Sequence, residues 1–320
     1  MHGLGIDVGS VSTDLVVIDE NGRITDQVYI KTEGNPIGAV KEGLSILAHK
    51  YCDDEIYAVG TTGSGRDLAA AIVGADIVKN EITSHGVAAA LIKPDVRTVI
   101  EIGGQDSKII LLRNGRVTDF AMNTVCAAGT GSFLDRQAER LGLHVEELGD
   151  YAARSTNPVR IAGRCAVFAE SDLIHKQQLG ISKEDIIAGM CEALVRNYLS
   201  NVAKGKRIEA PVLFQGGVSA NSGIRRALER ALNMPVEVPK YNKVMGAFGI
   251  AAMAVDKVRK SRDKKTGFRG FGASEPEYST TSFCCDGCEN NCEVAVVKDG
   301  DTQIAAFSDR CGKYQKLQRI

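Results

Sequence analysis

Two stretches of the chain share one pattern, and this pattern decides the fold class. The first is LGIDVGSVSTDLVVIDENGRITD at 4–26, and the second is VIEIGGQDSKIILLRNGRVTD at 99–119. Each runs from an apolar strand through a Gly-containing turn into a second apolar strand, and an Asn-Gly hairpin signal then leads to a third strand. We interpret the two stretches as an internal duplication. The sequence therefore predicts two lobes that each open with a β-meander.

In the alignment of the two copies, Asp7 falls on Glu101 and Gly9 falls on Gly103.

Helical patterns follow each meander. Beyond the meanders, apolar residues recur at helical spacing, for example over 183–204 and 222–232. Sheets that carry helices in this order indicate an α/β fold.

Three turns in this order predict a nucleotide site, although any one of them alone would be an ordinary loop. Glycine lets backbone N–H groups approach a phosphate closely, and hydroxyl groups add donors. Asp7, at a strand end, is placed to hold Mg²⁺ through water. The third turn leaves room for adenine and ribose. The candidate ATP- or ADP-binding residues are Gly9, Ser10, Ser12 and Thr13, then Gly103, Gly104, Gln105 and Asp106, then Gly216, Gly217, Val218 and Asn221.

Composition excludes several classes of function. The chain has 320 residues and a net charge of −1, so it lacks the basic character of a nucleic-acid or membrane-surface binder. No apolar run approaches the ~20 residues that a membrane helix needs. The N-terminus enters a strand without a signal-peptide pattern, which predicts a cytoplasmic protein.

Nine cysteines in such a protein indicate metal or redox chemistry more often than disulfides. Cys126 and Cys165 each precede a helical stretch. From spacing alone, small buried thiols are the favoured interpretation, since two cysteines fill only half of a four-thiolate [4Fe–4S] site and two subunits would have to share it. In the C-terminal tail, zinc, an iron–sulfur cluster or inert thiols all fit Cys285, Cys288, Cys292 and Cys311. We expect Cys52 and Cys191 to be buried and inert, and His85 to be a packing residue.

The local sequences identify the family that the chain resembles. The three turns resemble those of the actin-like (sugar kinase/Hsp70/actin, RNase H-like) ATPases. The sequence CAAGTGSFLD from Cys126, the sequence RCAVFAES around Cys165, and GGQD at 103–106 resemble signatures of the activators of 2-hydroxyacyl-CoA dehydratases, which belong with the benzoyl-CoA reductase ATPases. The resemblance covers most of residues 3–255.

This resemblance implies a function and a set of partners. Family members are homodimers that share one [4Fe–4S] cluster, here through Cys126 and Cys165 of each subunit. ATP hydrolysis rearranges the cluster helices and sends an electron from ferredoxin or flavodoxin to an iron–sulfur acceptor in anaerobic metabolism. The acceptor would be dehydratase-like, benzoyl-CoA-reductase-like or a double-cubane-cluster protein. Gln105, or Glu101 through a water, is the candidate for orienting the attacking water.

Two alternatives stay open at the level of sequence. One is a small-molecule kinase of the amino-sugar type, for which Asp106 would be the base; the other is a metal-bound scaffold without catalysis. The predicted domain plan is lobe I at 1–96 plus 245–260, lobe II at 97–244, a linker at 261–282 and a small Cys-rich module at 283–320.

Overall fold

The computed structural model describes residues 1–123, 129–261 and 265–314, which fall into two compact units. Unit 1 comprises Met1–Ser84 and Gly246–Ile320, and unit 2 comprises His85–Met245. The boundary after Met245 lies close to the predicted boundary after residue 244. The boundary after Ser84 falls inside a helix and precedes the predicted boundary after residue 96. In the described part of the chain, no helix combines the length and apolar character of a membrane span.

Unit 1 contains a five-stranded mixed sheet in the order β3-β2-β1-β4-β5. The strands are β1 His2–Val8, β2 Ser12–Ile18, β3 Ile24–Lys31, β4 Ile56–Gly63 and β5 Ile77–Val78. β1 pairs antiparallel with β2 and parallel with β4. The helices that follow are α1 Pro36–Ala48, α2 Arg66–Val73 and α3 Glu81–Ile92, which crosses into unit 2.

Unit 2 repeats this topology. Its strands are β6 Thr98–Ile102, β7 Ser107–Arg113, β8 Arg116–Met122, β9 Val212–Gln215 and β10 Val236–Glu237, and their order is β10-β9-β6-β7-β8. The helices of unit 2 are α4 Gly131–Leu141, α5 Leu148–Ala153, α6 Ala166–Gln178, α7 Lys183–Asn201 and α8 Ser222–Leu232. Helix α9, Met245–Lys260, begins at the last residue of unit 2 and otherwise belongs to unit 1. β6 pairs antiparallel with β7 and parallel with β9, as β1 does with its neighbours, which confirms the predicted duplication.

The C-terminal segment belongs to unit 1 and differs from the predicted linker and module. Within the expected linker, the backbone N–H groups of Gly267 and Phe271 donate to the carboxylates of Asp76 and Asp53, each at 2.7 Å. Strand β11 (Tyr278–Cys284) also begins inside it and forms an antiparallel sheet with β12 (Glu293–Asp299) and β13 (Thr302–Phe307). Much of the predicted linker is therefore packed structure, because acids far away in sequence satisfy its backbone.

The unit 1 sheet meets α9 at a very close approach. A Cβ at Gly5 would overlap the backbone oxygen of Ala247 and lie 2.7 Å from the backbone nitrogen of Ala251. Only glycine lets the helix lie this close to the buried strand β1.

Replacing Gly5 by alanine is expected to lower the free energy of unfolding by about 2–3 kcal/mol, because strand and helix must separate. Urea unfolding followed by circular dichroism measures the change. Gly272→Ala is the matched control, since a Cβ there meets nothing within 4 Å. Equal stabilities of the two variants would contradict the close approach.

Candidate nucleotide and cysteine sites

The first predicted turn closes tightly at the end of β1. The Gly9 N–H donates to the Ser12 carbonyl at 2.8 Å. Ser10 is exposed at the tip. The Thr13 hydroxyl is fully buried and lies 3.0 Å from that of Thr32, which in turn donates to the Gly9 carbonyl at 2.9 Å. Thr13 therefore braces the turn from behind, while Gly9, Ser10 and Ser12 form its outer edge.

A second loop of unit 1 lies beside this turn, because β4 is the parallel neighbour of β1. Register pairs Asp7 with Thr62. The Gly65 N–H and the Ser64 hydroxyl both donate to the Val8 carbonyl, at 2.9 and 3.2 Å. A Cβ at Gly63 would overlap the Asp7 carboxylate. The hydroxyl- and glycine-rich loop at 61–66 thus adjoins the acid that is the candidate Mg²⁺ ligand.

The second predicted turn, in unit 2, has the same closure. The Gly103 N–H donates to the Asp106 carbonyl at 3.0 Å. Behind it, the Lys108 ammonium lies 2.9 Å from Glu101 Oε2 and 2.7 Å from Asp106 Oδ1. Lys108 and Glu101 are both buried. Gln105 is exposed at the tip of the turn. The structure therefore separates an ion-paired acid, Glu101, from an accessible amide, Gln105.

The third predicted turn packs directly against the second. A Cβ at Gly216 would lie 2.6 Å from Glu101 Oε1. The Gly216 N–H donates to the Asn242 carbonyl at 2.9 Å, and the Asn242 amide donates to the Ser219 hydroxyl at 2.6 Å. Gly217 is exposed, and a Cβ there would meet nothing within 4 Å. Unit 2 thus brings two of the three predicted turns together at one sheet edge.

Two further residues of the predicted third turn, Val218 and Asn221, have structural roles. Val218 is buried. The Asn221 carboxamide oxygen caps α8 by accepting from the backbone N–H groups of Gly223 and Ile224, at 2.9 and 3.1 Å. Asn221 therefore fixes the start of α8 directly behind the turn.

His85 is a buried packing residue, as predicted from its sequence context. Its Nδ1 lies 2.8 Å from the amide nitrogen of Gln215, the last residue of β9. Burial of the ring, followed by the positive charge of Lys108, lowers the pKa of His85 to about 3. The ring is therefore neutral in the folded protein at neutral pH, and the amide N–H of Gln215 donates to it.

The cysteines that precede the C-terminal tail occupy different environments. Cys165 is a free, partly exposed thiol at the N-cap of α6, while Cys126 lies outside the described residues. Cys191 is buried, and desolvation raises the pKa of its thiol to about 12, in line with the predicted inert role. Cys52, by contrast, is exposed, so the expectation that it is buried is wrong. It caps the short 3₁₀ turn at 53–55 instead of entering the core.

The tail cysteines lie on the loops at one end of the third sheet. The Cys285 N–H donates to the Cys292 carbonyl at 2.8 Å, which continues the β11–β12 pairing. Cys285 is buried, Cys292 is partly exposed, and Cys288 and Cys311 are exposed. Across residues 1–123, 129–261 and 265–314, no group of three or more His, Cys, Asp or Glu side chains is placed to hold a metal ion. The four-thiolate site at Cys285, Cys288, Cys292 and Cys311 stays a prediction.

Two residues that organise the turns were missed from the sequence. Lys108 carries the charge that pairs with Glu101, and Asn242 braces the third turn. The signal for Lys108 was present in the duplication, because it aligns with another charged residue, Asp14. Asn242 had no local signal, since its partners lie in a loop distant in sequence.

Residues 4–254 match the family described as the BadF/BadG/BcrA/BcrD ATPase family. The chain belongs to this ATPase family. A relative from Acidaminococcus fermentans, the (R)-2-hydroxyglutaryl-CoA dehydratase activating ATPase, is 36% identical over 81% of this chain and 99% of its own. The crystal structure of the Acidaminococcus fermentans (R)-2-hydroxyglutaryl-CoA dehydratase component A is 36% identical over 81% of this chain and 100% of its own, with a TM-score of 0.75. The BadF/BadG/BcrA/BcrD match confirms the resemblance that the cysteine and glycine motifs indicated.

Two further likenesses concern the fold. The Clostridioides difficile activator of 2-hydroxyisocaproyl-CoA dehydratase is 34% identical over 82% of this chain and 98% of its own. Its structure has bound ADPNP, and the TM-score is 0.75. A ROK-family glucokinase from Streptomyces griseus, at 13% identity and a TM-score of 0.50 over 80% of this chain and 100% of its own, shows the fold alone. This BadF/BadG/BcrA/BcrD ATPase has the actin-like α/β fold, as predicted, and the kinase alternative is not supported.

Lys108→Met is expected to lower the free energy of unfolding by about 3–5 kcal/mol, because the buried Glu101 carboxylate loses its countercharge. Urea unfolding measures this loss. The double variant Lys108→Met/Glu101→Gln should recover part of it, since the buried charge is gone. A single-variant loss below about 1 kcal/mol would mean that the pair behaves like an exposed one.

His85 is expected to make the protein less stable as the pH falls from about 6.5 to 3. The folded-state pKa lies below the ordinary value of 6.5, so only the unfolded chain takes up the proton in this window. The slope is about 1.4 kcal/mol per pH unit, and the contribution is fully present above pH 6.5. Between pH 6 and 5, unfolding measurements on His85→Gln should show a shallower slope than the parent protein. Parallel slopes would rule out the neutral buried ring.

Proposed function

We propose that this chain is an ATP-hydrolysing activator that passes low-potential electrons to an iron–sulfur acceptor enzyme. The observation that carries the proposal is the placement of the partly exposed thiol of Cys165 at the start of α6, in the unit that also holds two glycine-rich turns. An activator needs both an ATP-binding turn and an accessible redox group. A kinase would need no cysteine at this helix end.

The turns supply the nucleotide chemistry. Backbone N–H groups and hydroxyls around Gly9, Ser10 and Gly103 would bind the phosphates, and the open face at Gly217 would take the adenosine. Asp7 would hold Mg²⁺ through water, and the ion would neutralise phosphate charge. Gln105 is exposed and would orient the attacking water, whereas Glu101 is ion-paired and acts behind the turn. Catalysis of this kind rests on positioning and electrostatics.

The described cysteine site fits an anionic cluster. Cys165 lies at the N-terminus of α6, a helix of 13 residues, where the helix dipole favours negative charge. The Asn197 amide donates to the Gly163 carbonyl at 2.6 Å and so fixes the segment that leads to Cys165. Cys126 would be the second ligand. A bound [4Fe–4S] cluster would supply one-electron transfer, and the two thiolates of each chain would complete it in a homodimer.

An apolar surface beside Cys165 supports the homodimer. Val167 and Phe168, the second and third residues of α6, are each 67% exposed. The proposed cluster ligand Cys165 needs a second subunit to complete the cluster. Burial of these two apolar side chains against the other copy would explain their exposure beside it. The same interface would bring four thiolates together.

The acceptor enzyme is proposed from the relatives. Both activators reported above are named for 2-hydroxyacyl-CoA dehydratases, so we infer a dehydratase-like iron–sulfur partner. A reductase-like partner, and ferredoxin or flavodoxin as the donor, are proposed from the family resemblance. The C-terminal sheet lies beyond the family match at 4–254, and a second metal site at Cys285, Cys288, Cys292 and Cys311, with zinc or an iron–sulfur cluster, is part of the proposal.

Protein purified without oxygen is expected to carry about four irons per two chains in the body of the protein. Cys165→Ser should lose this iron and its visible absorption while still binding ADPNP. Cys52→Ser is the matched control, because that thiol is exposed and remote in sequence from the cluster motifs, and it should keep the iron. Parent protein that binds ADPNP but holds no iron would leave an ATPase without an electron-transfer role.

A further inference from the structure

The N-terminus of α4 is capped by the second nucleotide turn. The backbone N–H of Gly131 donates to the Gly103 carbonyl, and that of Ser132 donates to the Gly104 carbonyl, both at 2.8 Å. The Ser132 hydroxyl donates to the same Gly104 oxygen at 2.7 Å. The first N–H groups of a helix have no partner inside the helix. In α4, two of them are satisfied by the turn that follows β6.

The contact between turn and helix is close enough to be rigid. A Cβ at Gly131 would lie 3.1 Å from the Gly103 carbonyl oxygen and 3.4 Å from the Gly104 Cα. A displacement of the turn must therefore either break three hydrogen bonds or move the start of α4. Because interiors are close-packed, strain in the turn is transmitted to the helix that packs against it.

Helix α4 is joined in turn to α6, the helix that begins after Cys165. The Arg140 guanidinium donates to Glu170 Oε1, and the Arg136 guanidinium lies 3.6 Å from the same oxygen. Apolar and amide side chains of both helices also line one small cavity between them, among them Leu141 and Leu173. The Ala169 N–H donates to the Cys165 carbonyl at 2.9 Å, which fixes Cys165 to the first turn of α6.

We propose that Ser132 is a positioning residue that transmits occupancy of the 103–106 turn to Cys165, through α4 and the Glu170 ion pairs. The inference rests on the proposed function and names the contacts through which that function would couple nucleotide to the redox group. Each contact lies within unit 2. The backbone N–H and the hydroxyl of Ser132 both bond to the Gly104 carbonyl, so Ser132 holds the turn and the helix together.

The test uses the full-length chain freed of iron, with ADPNP as the probe. The alkylation rate of the Cys165 thiol, followed by peptide mass spectrometry, reports on α6, and amide hydrogen exchange over 133–141 reports on α4. In the parent protein, ADPNP should change the Cys165 rate by about fivefold or more. Ser132→Ala removes one of the three hydrogen bonds and should bring the ratio closer to one and weaken the exchange response of α4, while ADPNP still binds.

Two further variants separate the steps. Glu170→Gln should reduce the response of Cys165 but leave that of α4 intact, because it breaks only the second connection. Ser171→Ala is the matched control, since its hydroxyl bonds within α6 to the Val167 carbonyl, and it should respond like the parent. Glu170 is on the surface of α6, so its variant carries the test even where Ser132→Ala fails to fold.

The outcomes distinguish this inference from the function on which it rests. A full ADPNP response of Cys165 in Ser132→Ala and Glu170→Gln would overturn the coupling while the iron measurements stand. A parent protein that binds ADPNP without any change at Cys165 would also overturn it. Absence of iron in protein purified without oxygen, with the ADPNP responses as expected, would instead refute the electron-transfer function and leave the coupling in place.

Discussion

Pairing of one strand with two kinds of neighbour determines where this protein can bind a ligand. In each unit the first strand, β1 or β6, is antiparallel to the next strand and parallel to a later one. The turn to the antiparallel neighbour and the loop after the parallel neighbour therefore meet at one sheet edge, where ligands of α/β proteins usually bind. Asp7 lies at this edge of the sheet in unit 1, and Glu101 lies at the equivalent edge in unit 2.

Much of the fold was predictable because the chain carries the signal twice. The meanders at 4–26 and 99–119 gave strands, turns and topology together, since apolar alternation and Asn-Gly hairpins are local features. The C-terminal segment was not predictable in this way. Its polar, glycine-containing composition is typical of a linker, yet Gly267 and Phe271 bond to acids of unit 1 that are far away in sequence.

In the candidate site, too, local features were predictable from the sequence and tertiary contacts were not. The glycine-rich turns are set by local chemistry, so Gly9, Gly103 and Gly216 were recognisable from the sequence as turn residues. The roles of the residues behind them depend on tertiary contacts. Thr13 faces Thr32 rather than the outer edge of its turn, and Asn221 caps α8. A hydroxyl or amide in a glycine-rich motif does not reveal by itself which side of the turn it will face.

The two copies differ at one position that gives them different electrostatic roles. Cross-strand register places Asp14 opposite Asp7 in unit 1, whereas the equivalent pair in unit 2 is Lys108 opposite Glu101. Side chains directly opposite on antiparallel strands lie close together, and like charges there oppose one another. Unit 2 therefore carries a countercharge of its own behind its turn. Because Lys108 already pairs with Glu101, Glu101 is the poorer candidate ligand for Mg²⁺, and the proposed Mg²⁺ site is assigned to Asp7.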